Sequence, residues 1–416
     1  MTSIIYLKGA LIMQAMKRFL QYTQIWTSSE WSSPQTPSSL RQFDLAHQLA
    51  FELREMGLTE VAVDNHCFTY AVLPASPGLE ALPTLGFVAH LDTHPDCPGK
   101  DIHPQILKHY DGSDVPLGDS GLVLRRSEYP HLSTLVGQTL ITTDGTTLLG
   151  ADGKAGIAEI MTALEFLLSS GRPHPQLYIA FTPDEEIGGG IRCLDFNRFK
   201  PHFAYTVDGW DAGEIVSETF NGIQASVQVH GVTTHTGRAK GILINAQLAA
   251  IEFANLLPPN EIPSLTEGRE GFFHLLHFHG SVESAELVYN LRDFTSEGMD
   301  RRIQLMKHAA HTLNTRYGND TVQLTFREEY RNMHEKLQDY PQLIKNAENA
   351  CRLVGLEPKL SLTRGGTNGA RLSFAGIPCP NLGMGGWAYH GPYEHITAEI
   401  MEQVSHFLAE LIVQFS

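Results

Sequence analysis

The chain is short of cysteine, of positive charge and of long apolar runs, and each shortage removes a class of protein. Its five cysteines stand at positions 67, 97, 193, 351 and 379 of 416 residues. The number is odd, the spacing is wide and no CxxC occurs, which argues against a disulfide framework or a cysteine-held zinc. Reduced thiols fit a cytoplasmic protein. Lys and Arg total 30 against 46 Asp and Glu, a formal net charge of -16. Nucleic acid and anionic membrane both require a basic face, so neither is expected as a partner. No stretch approaches the roughly 20 apolar residues of a membrane span. The opening MTSIIYLKGALIM is interrupted by Lys8 and has no small-residue cleavage site, so it does not read as a signal peptide. Met13 and Met16 are alternative starts, because MKRFLQYTQI already begins an amphipathic helix. With no GxSxG elbow, no cysteine in a suggestive setting and no phosphate-binding loop, serine catalysis, cysteine catalysis and nucleotide chemistry lack support.

What is present reads as a folded protein of two domains. Hydrophobic residues make up 42% and charged residues 18%, and the length exceeds what one core usually holds. Residues 16–26 and 40–56 read as helices, separated by the Ser- and Pro-rich loop WTSSEWSSPQTPSS. The apolar runs VAVDNHCFTYAVLP, LPTLGFVAHLD, QLYIAFTP and HFAYTVD read as strands. Between them, 153–171 places Ile157, Ile160, Met161, Leu164, Leu167 and Leu168 on one helical face, with Gly171 as the stop. This alternation predicts an α/β fold, a mostly parallel sheet with flanking helices. From about 218 the order changes to βαββαβ, with a tight turn at Glu283-Ser284, the pattern of a compact α+β unit. The expected organisation is a catalytic domain of residues 1–218 and 329–416 with an inserted domain at 219–328. A last helix spans 396–415, its start marked by Thr397 and Glu399.

Five segments put an acid or an imidazole where an apolar run stops: VAHLDT, LLGADGKAG, YIAFTPDEEIGGG, AYTVDG and WAYHGPYE. In parallel α/β sheets, ligands gather beyond the carboxyl ends of the strands. His90, Asp152, Glu186, Asp208 and His390 are therefore expected to converge as metal ligands. Each alone has a plain structural alternative. Asp152 at a helix start could be a cap, and Glu185-Glu186 could be an exposed acidic turn. As a set they form the inventory of a hydrolase with two divalent cations, Asp152 bridging them and Glu185 left over as general base and later general acid. Asp92 can reach the second nitrogen of His90 and fix its tautomer. Mixed imidazole and carboxylate ligands suit Zn2+, with Mn2+ and Co2+ as alternatives.

Beyond these segments, GQTLITTDGTTLLGADGKAGIAEIMTAL, SETFNGIQASVQVHG, HTGRAKG and RGGTNGARLSFAGIPCPNL resemble the peptidase T family of tripeptide aminopeptidases. That family lies within the dizinc peptidases that include glutamate carboxypeptidases and aminoacylases. The likeness runs from about residue 40 to the C-terminus. It implies one zinc on His90 and Asp208, the other on Glu186 and His390, with Asp152 between them, Glu185 as base and Asp92 supporting His90. It implies that 219–328 is a lid that also makes a homodimer, that His235 helps stabilise the oxyanion, and that Arg292 and Arg364 bind substrate, Arg364 clamping a peptide's terminal carboxylate. For Arg292, beside Asp293, a simple ion pair is the competing reading. Three positions depart from the family pattern: Gly153 in GADGKAG, Thr236 in HTG and Asn368 in GTNG. The first is not a ligand position; the other two bear on specificity.

The resulting expectation is a cytoplasmic dizinc aminopeptidase that removes the N-terminal residue of tripeptides, with a small peptide as its substrate. Alternatives are a related dipeptidase, carboxypeptidase or N-acyl amino acid hydrolase and, in another class, a metal-binding scaffold without catalysis.

Overall fold

The computed structural model describes residues 13–416; the apolar opening run lies outside them. Two compact units form. One contains the chain up to Ser217 with Lys336–Ser361 and Ala375–Ser416; the other contains Glu218–Glu335 with Leu362–Phe374. The second unit thus reaches beyond the expected boundary at 328 and takes in Arg364 and Asn368.

The main sheet has eight strands in the order Thr59–Val63, Thr69–Leu73, Leu177–Thr182, Leu85–His90, Phe203–Gly209, Asn381–Gly383, Glu214–Thr219 and Lys359–Thr363. Its centre is parallel. Leu85–His90 pairs with Leu177–Thr182 so that His90 faces Thr182, and on its other side with Phe203–Gly209 so that Val88 faces Thr206. Asn381–Gly383 continues the parallel set beside Phe203–Gly209, and the edges turn antiparallel. These three central strands are buried almost throughout, which is why they read as unbroken apolar runs rather than alternating ones. Their shared register delivers three chain exits to one edge of the sheet.

The helix Ala151–Ser170 packs on this sheet and against the helices Gln14–Thr23 and Ala398–Val413. Being covered on several sides, it buries Ile157, Ile160, Met161, Leu164 and Leu167 completely or nearly so, each contributing about 1.5–3 kcal/mol. Leu168, expected on the same face, is 37% exposed. The helix approaches the Asp208 strand closely at Gly156, where a Cβ would run into the Val207 carbonyl. Gly171 ends it in a left-handed conformation, and Thr397 caps the last helix through its hydroxyl. Among the described residues no helix is long and apolar enough to cross a membrane.

The second unit is a four-stranded antiparallel sheet, in the order Phe272–Gly280, Ser284–Asp293, Asn221–His230 and Val322–Tyr330. The helices Ala246–Asn255 and Ser296–Tyr317 pack on it around Val227, Phe253, Leu287 and Leu313. Asn245 and Thr295 cap those helices. Ser284 pairs with His230 inside its strand, so the tight turn is 281–283.

Candidate metal centre

His90 is the last residue of its strand and is almost wholly buried. Its Nδ1 lies 2.9 Å from the backbone oxygen of Asp92. A carbonyl only accepts, so Nδ1 carries the hydrogen and the lone pair of the neutral ring sits on Nε2. That nitrogen lies 2.9 Å from Asp152 Oδ1 and 3.0 Å from Asp208 Oδ1. On the other side, His390 Nε2 lies 3.0 Å from Asp152 Oδ2 and 3.0 Å from Glu186 Oε2. Each imidazole nitrogen therefore faces two carboxylate oxygens, and Asp152 gives one oxygen to each half. Among the described residues its carboxylate oxygens bond to the two imidazoles and to no backbone amide. Glu185 joins the His90 half, where its carboxylate lies within 4.8 Å of ligand atoms of His90 and Asp208.

The electrostatics are those of too many acids in too little water. Burial pushes Glu186 up to about 8, with Asp152 adding to the effect. Burial and the Asp208 carboxylate hold Glu185 well above the usual range, and burial also raises Asp208. Burial opposes charge on His390, yet its hydrogen bonds to Asp152 and Glu186 win and raise it to about 10. His90 is likewise raised by Asp208 and Asp152 against its own burial. Asp152 moves the other way, because the two imidazoles outweigh its burial. Among the described residues Glu186 Oε1 is buried with no hydrogen-bond partner, a costly state for a carboxylate oxygen. A donor set of imidazole nitrogens and carboxylate oxygens, with one buried oxygen unsatisfied, fits divalent cations.

Asp92 reaches the second nitrogen of His90 and also supports the glutamate loop. Its carboxylate is 3.5 Å from His90 Nδ1, and it is the backbone oxygen that holds the ring. The carboxylate also accepts from the Glu185 and Glu186 amides at 3.0 and 3.2 Å. It thus ties the His90 loop to the loop of the two glutamates.

Three features escaped sequence reasoning. Glu394, the last residue of YHGPYE, is buried and accepts from the amides of Leu149, Gly150 and Asp152 at 2.6, 2.8 and 3.1 Å, fixing the turn that presents Asp152. Lys154 is fully buried and donates to the Ile25 carbonyl at 2.7 Å. The Ser- and Pro-rich stretch read as a loop is a strap across the site's supports. Ser29 donates its amide to Thr93 O at 3.2 Å, and Ser38 holds the Asp184 carboxylate at 2.6–2.7 Å, joined there by Gln42 of the following helix at 2.7 Å. Gly153 lies against His90, and a Cβ there would meet the imidazole.

The three expected substrate residues belong to the second unit and are engaged within it. His235 is exposed and accepts from the Gly237 amide at 3.1 Å. Arg292 pairs with Glu329 at 2.9 Å, while its neighbour Asp293 pairs with Arg302. Arg364 donates to Thr266 Oγ1, Gly268 O and Glu270 O at 2.8–3.0 Å.

Comparison with known proteins adds relatives to this geometry. The family described as peptidase family M20/M25/M40 matches residues 143–414, a span that holds Asp152, Glu185, Glu186, Asp208 and His390. Peptidase T of Caldanaerobacter subterraneus subsp. tengcongensis is 44% identical over 401 residues, covering 96% of this chain and 98% of the relative. The crystal structure of aminopeptidase PepT from Bacillus cereus aligns with a TM-score of 0.76 at 21% identity, over 97% of this chain and 98% of that one. A tripeptidase from Staphylococcus aureus aligns with the same TM-score, identity and coverage. Those two structures speak for the fold. Identity sustained through nearly the whole of both chains, with a family match spanning four of the five strand-end loops, makes the chain a member of peptidase family M20/M25/M40.

Proposed function

We propose that the protein is a cytoplasmic tripeptide aminopeptidase working with two divalent cations, zinc being the best fit to its ligands. The observation that carries this reading is the division of the Asp152 carboxylate between the His90–Asp208 pair and the His390–Glu186 pair. His90 and Asp208 would hold one cation, His390 and Glu186 the other, with Asp152 shared. When bound, such a pair acidifies a water and polarises the scissile carbonyl.

The chain's own part is proton handling and positioning. Glu185 takes the proton from the attacking water and later gives it to the leaving amine. The Asp92 carboxylate keeps the Glu185 and Glu186 amides in place. The inserted unit serves as lid and dimerisation domain, closing over the peptide and excluding water. His235 donates to the carbonyl oxygen as it gains charge, and Arg364 takes the peptide's terminal carboxylate, exchanging the backbone oxygens it holds here. Arg292 has its buried ion pair with Glu329 to give up before it could do the same.

A tripeptide, its C-terminal amide and an N-acetyl amino acid separate this reading from its rivals. The expected order of kcat/KM is tripeptide first, the amide lower through loss of the clamp, and the acetylated compound last. Preference for the acetylated compound would make the protein an N-acyl amino acid hydrolase instead.

A further inference from the structure

The two imidazoles of the centre are held in unlike ways. His90 is buried and its second nitrogen is fixed by the Asp92 carbonyl. The His390 side chain is 43% exposed, it stands in a segment where both Ala388 and His390 take positive φ values of 55° and 65°, and among the described residues its Nδ1 has no hydrogen-bond partner. Metal-binding histidines ordinarily have one on that second nitrogen. What His390 has is a ring on its face. His94 stacks on it at 4.1 Å between centroids and 13° between planes. Trp31, from the Ser- and Pro-rich strap, meets His94 edge-on at 5.9 Å and 78°. The indole is anchored in turn by Nε1–H donating to Asp96 Oδ1 at 2.8 Å.

His94 also brings a nitrogen within 4.8 Å of ligand atoms of Glu186 and His390, so it could be either a third imidazole ligand or a support. The hydrogen bonding decides. His94 Nδ1 accepts from the Asp96 amide at 3.3 Å, which puts the ring hydrogen on Nε2 and leaves no free lone pair for a cation.

We propose that His94, backed by Trp31, is a positioning residue that holds His390 in its ligating orientation through ring stacking and does not itself bind metal. The proposal rests on the two-cation reading above. In it, the flat face of His94 fixes the plane of the His390 ring, and the strap gains a direct part in the metal centre.

The test is stepwise titration of the chelated full-length protein with Co2+, followed by calorimetry and by the absorption spectrum of the bound ion. The phase lost in His390→Ala identifies the His390-side cation. His94→Ala is expected to weaken that phase by roughly 10-fold or more, leave the other phase unchanged as an internal check of folding, and recover turnover at excess Co2+. His94→Phe, which keeps a flat ring without nitrogens, is expected to bind within about 3-fold of the parent, and Trp31→Ala to fall between the two. Unaltered binding in His94→Ala would overturn the proposal, as would a His94→Phe variant as weak as His94→Ala, since the nitrogen and not the ring face would then matter. If the parent protein itself took up fewer than two ions, the two-cation reading would fall rather than this one.

Discussion

Replacing Glu185 by alanine is expected to leave both cations bound and to lower kcat by about 10²–10⁴-fold, the usual span for a lost general base. The geometry separates the two effects. Glu185 lies on the His90 half, yet every imidazole–carboxylate contact of the centre is made by its neighbours. Removing it subtracts one buried acid from a cluster whose crowding already pushes Glu185 itself well above the usual carboxylate range, so cation binding should not suffer. KM should change little, because the residue acts on the water and the leaving amine rather than on the peptide's ends. Steady-state kinetics alongside metal content of the same preparation checks this. Full turnover in Glu185→Ala would take the residue out of the mechanism; loss of a cation would make it a ligand.

The second large effect belongs to Asp152. Its two oxygens face opposite halves of the centre, so Asp152→Ala is expected to weaken both cations together and to bring hydrolysis to background. Asp208→Ala, which touches only the His90 half, should weaken one ion and spare the other. Equilibrium dialysis with metal analysis reads the difference directly. A helix cap would behave otherwise: its removal costs about 1 kcal/mol of stability and leaves metal uptake alone. If Asp152→Ala retained two ions, the shared-carboxylate geometry would have no functional meaning.

These side chains could be named from sequence because of where chains leave a parallel sheet. Apolar strands are legible in runs such as LGFVAH and YIAFT, and fully buried parallel strands end abruptly, so the first polar residue after each run marks one edge. His90 and Asp208 close their strands in this way, and Glu185 and Glu186 follow Thr182 within four residues. The helix that follows Asp152 was legible from its periodicity, though its burial on several sides left Leu168 outside the expected face. The strap was not legible. Its role depends on a few hydrogen bonds from Ser29 and Ser38 to residues far along the chain, and such contacts impose no repeat on a sequence. Glu394 was hidden for a similar reason, since a carboxylate that gathers backbone amides looks like any other Glu in a turn. His94 reads as one more polar residue after HLD until its stacking on His390 is seen. For Arg292, the ion pair weighed against a substrate role forms with Glu329 across the sheet, while the adjacent Asp293 pairs with Arg302.

Anomalous diffraction at the zinc edge from crystals of the zinc-loaded protein addresses the central claim most directly. Two peaks are expected, roughly 3.5–4 Å apart, one between His90 and Asp208 and the other between His390 and Glu186, with an oxygen of Asp152 reaching each. A single peak, or peaks away from these five side chains, would contradict the account.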